Sequence, residues 1–177
     1  VWYRHARLQC VQCGLAKGNR ADGSGLQELL GWDSRWPWQA FGGLVQDACS
    51  AGIALHGGNL SRAEVDALLA STEPVRFPAA DSRQRLSAVV LAQHAGAAPM
   101  LEGMLAVQQA RDTRMAQVLA TSPAPALLVA GRWHVLRGTG VPGYLPPATP
   151  ALVIALAAPG ETLDVGDADL LWVAADE

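Results

Sequence analysis

The sequence lacks the features that mark several common protein classes. It has only three cysteines, and Cys10 and Cys13 form a lone CxxC pair without a second pair or matched histidines. A disulfide framework and a zinc site at this pair are therefore both disfavoured. The longest uncharged apolar run, residues 151–158, is far shorter than the ~20 residues that a membrane helix needs, so we expect no transmembrane segment.

The sequence also has little net charge and no recognisable N-terminal targeting signal. The net charge is only −3 and no basic stripe is visible, which argues against a nucleic-acid partner. The chain has no initiator methionine and no charged-then-apolar signal region. We therefore expect it to begin at a processed end or inside a longer protein.

What is present is enough for a folded α/β domain. The chain has 177 residues, half of them apolar, which predicts one domain over residues 1–177 with a real core. Six of the ten aromatic residues are tryptophan, and Trp32, Trp36 and Trp38 cluster. This cluster is interpreted as core, with the wall of a flat-ligand site as the alternative.

Hydrophobic periodicity predicts a mainly parallel central sheet flanked by helices, with a small helical insertion at about 73–120. The predicted strands cover 53–55, 126–130, 151–157 and 170–174. The predicted helices cover 3–15, 26–30, 37–50, 61–69, 81–95 and 99–120.

The stretch 126–145 is the predicted centre of the protein. Residues 126–130 are continuously apolar and bounded by Pro125 and Gly131, which is typical of a strand buried on both faces. His134 follows directly. Because open α/β sheets bind ligands outside the carboxyl ends of their strands, His134 is a candidate site residue. A structural role for this histidine is the alternative.

The helix over 99–120 has polar residues within its apolar stripe. Gln108 and Asp112 stand where the 3.6-residue period demands apolar side chains. An unpaired buried carboxylate costs several kcal/mol, so Asp112 must pair or line a wet cavity. Arg111 or Arg114 could supply an internal partner. If neither arginine pairs with Asp112, we expect Gln108 and Asp112 to face a ligand-binding site.

Arg62 lies in the first turn of the helix predicted over 61–69. A cation there opposes the helix dipole, at a cost of roughly 0.3–1 kcal/mol, and a bound anion would remove that cost. The sequence leaves two roles open for Arg62. It either binds a carboxylate or phosphate ligand, or it is a solvated surface arginine.

These motifs resemble those of the ChaN-type haem-binding uptake family in the Tiki/TraB-like superfamily. The family shows a helix with AQxxRDxxMA, a strand ending in GxxHV and a GVPxxL loop. The matching residues here are Gln108, Arg111, Asp112, Met115, Ala116, Gly131, His134, Val135, Gly140, Val141, Pro142 and Leu145. Upstream, a tryptophan-rich helix and an NLxR turn supply Asn59, Leu60 and Arg62. The resemblance covers roughly residues 36–157.

Two family elements are missing from this sequence. The opening strand ending in GExHD, which supplies a second GxxH histidine, is absent. The next strand, with a glutamate-containing EMF-like motif, is also absent. The chain therefore resembles a family member without its first strand and part of the next unit.

The resemblance implies a haem-binding protein associated with iron uptake, typically a lipoprotein of the bacterial periplasm or outer membrane. Haem requires a flat apolar slot, an axial iron ligand and cations for its propionates. Candidate walls are Trp36, Trp38 and Trp133, candidate axial ligands are Tyr144 and His134, and the candidate propionate partner is Arg62. The full set of predicted ligand-binding residues is Asn59, Arg62, Gln108, Arg111, Asp112, Gly131, Trp133, His134 and Tyr144.

Two alternatives remain, and whether the chain is an enzyme is left open. A metal-dependent hydrolase of the same superfamily would use His134, with Asp112 or His56, to hold zinc or manganese. An inactive fragment or scaffold would expose a sheet edge and self-associate. A homodimer, and whether two subunits enclose a ligand, are also left open.

Overall fold

A computed structural model describes residues 7–8, 23–34, 36–71 and 73–174. By contacts, the chain divides into two compact units, Val1–Ser61 and Arg62–Glu177. The sequence pattern had predicted one domain over 1–177, with a helical insertion, and that remains a prediction. Cys10 and Cys13 lie outside the described residues.

The first unit contains two short strands and two helices. Its elements are β1 (Arg7–Leu8), α1 (Gly23–Leu30), α2 (Trp38–Ser50) and β2 (Leu55–His56). A core of Leu26, Leu30, Val45 and Cys49 joins the two helices, and Trp32, Trp38 and Leu55 pack against it. Because two of the three clustered tryptophans pack on this core, the core interpretation of the cluster agrees with the structure.

Both helices of the first unit were predicted from the sequence. Pro37 directly precedes α2, where its fixed φ suits a helix start. Gly52 follows the helix with φ +69°, a conformation that favours glycine. The predicted bounds of 26–30 and 37–50 are therefore confirmed to within a few residues.

The strand predicted in this unit is present only at its last residue, and its burial and pairing were predicted wrongly. Residues 53–55 were expected to form a buried strand of a parallel sheet, but Ile53 is 57% exposed and the strand is β2, paired antiparallel with β1. The helix predicted over 3–15 is contradicted at β1, and the rest of that range lies outside the described residues. Strands this short are formed by hydrogen bonds to a distant partner, which local periodicity does not encode.

The second unit is built around one long helix. Its elements are α3 (Arg62–Leu69), α4 (Ser82–Gln93), a 3₁₀ turn (Ala98–Met100), α5 (Leu101–Thr121), α6 (Arg132–Val135), a second 3₁₀ turn (Val141–Tyr144), β3 (Ile154–Ala157) and β4 (Leu170–Val173). The three helices predicted in this part of the chain are confirmed as α3, α4 and α5. None of the described helices is long and apolar enough to cross a membrane.

Helix α5 packs against α3, α4 and the 141–144 turn. Its contact with α3 is close because of Gly103. A Cβ at this position would lie 2.8 Å from both Cα and the carbonyl oxygen of Leu69. The glycine therefore allows two helix backbones to approach more closely than any larger residue would permit.

The predicted central strand over 126–130 is wrong. No strand is assigned to these residues in the described chain, and Leu127 is 78% exposed. Leu128 and Ala130 pack against the apolar cluster around Met115 and Val141. The segment is therefore exposed at its start and partly buried at its end, whereas the apolar run had suggested burial on both faces.

The strands β3 and β4 form a parallel pair, with Ile154 opposite Leu170 and Leu156 opposite Trp172. Residues 170–174 were predicted as a strand, which β4 confirms. Residues 151–157 were predicted as a fully buried strand, but burial alternates along β3 and only one of its faces is covered. The described strands therefore form one parallel and one antiparallel pair rather than one continuous parallel sheet.

An ion pair with a buried carboxylate fixes the loop that follows α6. Asp167 is paired with Arg85 of α4 and also accepts a hydrogen bond from the Gly138 amide at 3.1 Å. The Ser82 hydroxyl donates to the Gly138 carbonyl at 2.6 Å. These bonds anchor the chain between α6 and the 141–144 turn, which both carry candidate site residues.

Candidate functional site

The centre of the site is a buried carboxylate–imidazole pair. Asp112, on α5, is fully buried, and its Oδ1 lies 2.5 Å from Nδ1 of His134 on α6. The His134 side chain is 12% exposed. His134 was predicted to follow the end of a strand. It lies instead in a one-turn helix that begins directly after Gly131.

Gln108 completes the group from one helical turn before Asp112. Its Nε2 donates to Asp112 Oδ2 at 3.3 Å and lies 3.0 Å from Nδ1 of His134. An ionised carboxylate only accepts hydrogen bonds, so we assign the ring hydrogen to Nδ1, where it is donated to Asp112. With the hydrogen on Nδ1, a neutral ring has its free lone pair on Nε2, the nitrogen that can bind a metal ion.

The sequence left open which group pairs with Asp112 on α5, and the structure shows that group. Asp112 is paired inside the protein, as a buried carboxylate must be, but its partner is His134 rather than an arginine. Arg114 instead forms an ion pair with Glu64 of α3 at 2.8 Å. The charge of Arg111 also lowers the pKa of Asp112.

Burial raises the pKa of Asp112 from 3.8 to about 6. Desolvation of the charged form is the main cause, and the hydrogen bond from His134 opposes it. The carboxyl group therefore titrates near neutral pH, within the range where a proton can be exchanged with a neighbouring group.

Tyr144 lies near the same carboxylate, in the 141–144 turn. Its ring packs against the cluster of Met115, Ala116 and Val141. Its hydroxyl is buried and has no hydrogen-bond partner among the described residues. Burial raises the pKa of this phenol above its usual value, and the nearby charge of Asp112 raises it further.

The loop after α6 fixes the backbone of His134. A Cβ at Gly140 would lie only 2.2 Å from the His134 carbonyl oxygen, so this position requires glycine. The buried Thr139 hydroxyl donates to the Trp133 carbonyl at 3.2 Å. The sequence interpretation missed the role of Thr139. Its place between two glycines, before Val141-Pro142, was the available signal.

Trp133 is half-buried beside the pair. The guanidinium of Arg132 lies 5.2 Å from the centre of its ring and forms an ion pair with Glu161 at 3.0 Å. Gly131 stands at the start of the same turn, and a Cβ there would lie 3.8 Å from the His134 ring. Trp133 and Gly131 therefore belong to the surroundings of His134.

The remaining predicted residues have local partners. The Asn59 side-chain oxygen accepts from the Leu60 amide at 2.8 Å, within the first unit. Arg62 opens α3 and pairs with Asp66 at 2.8 Å, with 79% of its side chain exposed. This is the arrangement expected of a solvated surface arginine. The structure thus groups Gln108, Asp112 and His134 and places Tyr144 nearby.

A metal-dependent hydrolase needs about three protein ligands around its metal ion. Among the described residues, no three His, Cys, Asp or Glu side chains come together as such a set. Asp112 and His134 already bond to each other. The donor set of this site therefore does not support the zinc or manganese alternative.

The comparisons with known proteins point in one direction. The family model described as haem-binding uptake, Tiki superfamily, ChaN, matches residues 10–145. The structure of ChaN from Campylobacter jejuni, described as showing cofacial haem binding, is similar with a TM-score of 0.77 and 23% sequence identity. The match covers 91% of this chain and 67% of that chain. No curated protein matches. The structural likeness confirms the α/β fold class predicted from the sequence.

Proposed function

Because the chain belongs to the ChaN haem-binding uptake family of the Tiki superfamily, we propose that it binds haem beside the Asp112–His134 pair. The site residues lie on α5, α6 and the 141–144 turn, all within the second unit. The similar structure from Campylobacter jejuni, described as binding haem, supports the same ligand class.

The observation that carries the proposal is the buried hydroxyl of Tyr144. A buried polar group without a hydrogen-bond partner destabilises the folded state by about 1–3 kcal/mol, so a buried, unpaired hydroxyl needs a physical explanation. A ligand atom beside the phenol would supply the partner that the described residues lack. Tyrosine is one of the side chains that hold haem iron. We therefore assign Tyr144 as the iron ligand.

His134 and Tyr144 are both linked to Asp112, His134 by a hydrogen bond and Tyr144 through the effect of the carboxylate charge on its pKa. Asp112 holds the ring through Nδ1, a support that fixes ring orientation and raises ligand basicity in metal sites. Because Nε2 is the ring nitrogen that does not bond to Asp112, it makes His134 the second candidate for the iron ligand. When bound, haem supplies a Lewis-acidic iron that stabilises the phenolate form of a tyrosine ligand.

We further propose that haem binding here serves iron uptake in the bacterial periplasm or at the outer membrane, as a lipoprotein-type component. The family description of haem-binding uptake supports the uptake role.

The test is titration of the purified chain with haemin, followed by absorption spectroscopy. We expect a sharpened and shifted Soret band for the wild type. Tyr144→Phe removes only the hydroxyl and should weaken haemin binding at least tenfold, about 1.4 kcal/mol. The control is Ser87→Ala, which removes an exposed hydroxyl on α4 away from the site and should bind like the wild type.

The outcomes separate the parts of the proposal. A wild-type chain that leaves the haemin spectrum unchanged would contradict haem binding itself. Unchanged binding in Tyr144→Phe, together with loss in His134→Ala, would move the iron ligand to His134. Circular dichroism of each variant checks that the fold is retained.

A further inference from the structure

We propose that Asp167 and Ser82 are positioning residues for the haem site. They act through the loop 137–140, which joins His134 to Tyr144. Ser82 is the first residue of α4, and Asp167 lies in the segment between β3 and β4. Neither residue is among those assigned to bind the ligand. The inference rests on the proposed function, because the loop joins the assigned iron ligand to its alternative.

Both backbone groups of Gly138 bond to buried side chains from distant parts of the chain. The Gly138 amide donates to Asp167 Oδ1 at 3.1 Å, and its carbonyl accepts from the Ser82 hydroxyl at 2.6 Å. The amide of the preceding residue, Arg137, donates to the Asp167 carbonyl at 2.9 Å. Ser82 is fully buried and Asp167 is 4% exposed. Because hydrogen bonds are stronger in such a low-dielectric environment, these three bonds hold residues 137–138 firmly.

Arg85 of α4 holds the Asp167 carboxylate in place. Its Nη1 donates to Asp167 Oδ1 at 3.1 Å, and its Nη2 bonds to the other carboxylate oxygen. This two-point contact fixes the plane of the carboxylate as well as its distance. A Cβ added at Gly138 would lie 2.7 Å from Asp167 Oδ1 and closer still to Arg85 Nη1. The loop therefore lies directly against the ion pair, with no space for a side chain between them.

The same loop is bonded to α6 on the side of the site. The Thr139 hydroxyl donates to the Trp133 carbonyl at 3.2 Å, and the Gly140 amide donates to the Leu136 carbonyl at 2.8 Å. Helix α6 is only four residues long. A single helical turn is not stable by itself in water, so contacts outside it must set its position. A displacement of the loop would therefore displace α6 and the 141–144 turn that follows.

The accuracy that a binding site requires gives these remote bonds a functional effect. The groups of a binding site must be held within about 0.5 Å of the productive geometry. His134 lies four residues before Gly138 and Tyr144 lies six residues after it, so one anchored residue constrains both. Mutation of residues that orient metal ligands from outside typically weakens metal binding by about 10–100-fold. We therefore expect loss of either anchor to weaken haemin binding about tenfold.

The first pair of variants compares two serines of α4 by haemin titration. Ser82→Ala removes the hydroxyl that bonds to the Gly138 carbonyl. Its matched control is Ser87→Ala, because the Ser87 hydroxyl also donates to a backbone carbonyl but does so within its own helix, to Arg83 at 2.7 Å. Both substitutions remove one hydroxyl from the same helix, and only the first releases the loop.

The second pair compares two carboxylates that share Arg85. Asp167→Asn replaces one of two acceptor oxygens with an amide donor, which then opposes either Arg85 or the Gly138 amide. Its matched control is Asp164→Asn. Asp164 also pairs with Arg85, at 3.1 Å, but its side chain is 77% exposed. Both substitutions remove one charge near Arg85, and only the first disturbs a bond to the loop.

We expect Ser82→Ala and Asp167→Asn to weaken haemin binding about tenfold and both controls to bind like the wild type. In the haem-free proteins, ¹H–¹⁵N NMR spectra should show shifted amide signals of His134 and Tyr144 in these two variants and not in the controls. A role limited to stability would lower the free energy of unfolding in urea, but it would leave these signals and the affinity of the folded chain unchanged.

The outcomes separate this inference from the proposed function. Wild-type affinity in both Ser82→Ala and Asp167→Asn overturns the inference and leaves haem binding in place, as does equal weakening in the controls. If the wild type does not bind haemin, the proposed function fails, and the amide signals still decide whether the two residues position the loop. Amide shifts confined to residues 137–139 contradict that role. Ser82→Ala removes only one hydroxyl, so it carries the test if Asp167→Asn does not fold.

Discussion

At the scale of single residues, the buried Asp112 carboxylate controls the site. It holds the His134 ring, accepts from Gln108 and raises the pKa of the Tyr144 phenol. One acidic side chain on α5 therefore influences every group that we assign to ligand binding. Its own elevated pKa gives a direct test of this arrangement in the haem-free protein.

We expect Asp112→Asn to change how stability depends on pH. The pKa of Asp112 is raised from 3.8 to about 6, so the folded state binds this proton more tightly than the unfolded state. The resulting stabilisation is complete below about pH 4 and is lost as the pH rises through 6. The wild type should therefore lose up to about 3 kcal/mol relative to Asp112→Asn over this range.

The measurement is urea unfolding at several pH values between 4 and 7 for both proteins. Asp66→Asn, which alters an exposed carboxylate, serves as the baseline. A difference between wild type and Asp112→Asn that is constant with pH, or that changes in the opposite direction, would contradict the assignment.

The backbone contact at Gly140 gives a second prediction at this scale. Gly140→Ala places a methyl group 2.2 Å from the His134 carbonyl oxygen and should destabilise the protein by about 1–3 kcal/mol. Gly131→Ala, where the nearest atom is 3.8 Å away, should change stability by less than about 0.5 kcal/mol. Equal effects of the two substitutions in urea unfolding would show that the loop does not approach α6 this closely.

At the scale of elements, the long helix α5 organises the second unit. It packs against α3 and α4 and carries Gln108 and Asp112 on the side that meets α6. Its close contact with α3 depends on Gly103. The position of this helix therefore determines where the buried carboxylate lies.

Two helix glycines should respond in opposite ways to alanine. Gly103→Ala introduces a methyl group 2.8 Å from the Leu69 backbone and should destabilise the protein by about 1–3 kcal/mol. Gly43→Ala, in α2, meets nothing within 4 Å and should stabilise it by about 0.5–1 kcal/mol through helix propensity. Thermal unfolding compares them, and a stabilising Gly103→Ala would contradict the close helix packing.

The helices were predicted from the sequence more accurately than the strands. The helices α2 to α5 were located because the 3.6-residue apolar period, Pro37 and Gly52 are local signals. The strand predicted over 126–130 failed because a continuous apolar run indicates burial but does not specify a partner strand. Strand pairing depends on two segments that are distant in the sequence, so the pattern of one segment does not predict it.

At the scale of the whole molecule, ligand binding should be coupled to folding. A ligand that binds only the folded state stabilises it by about 2.7 kcal/mol at a concentration 100 times its dissociation constant. Haemin should therefore raise the melting temperature of the wild type, and the increase should be much smaller for Tyr144→Phe. An equal increase in both proteins would contradict the assignment of Tyr144 as the iron ligand.

The sequence by itself determined the positions of the main helices, the α/β class, the family and the polar residues that interrupt the apolar stripe of α5. These features depend on local periodicity and on short motifs. Only the tertiary structure decided that Asp112 pairs with His134 rather than with Arg111 or Arg114, that Tyr144 buries an unpartnered hydroxyl among the described residues, and that one face of the β3–β4 sheet is exposed. The physical reason is that each of these depends on which distant segments meet, and local sequence does not specify such meetings.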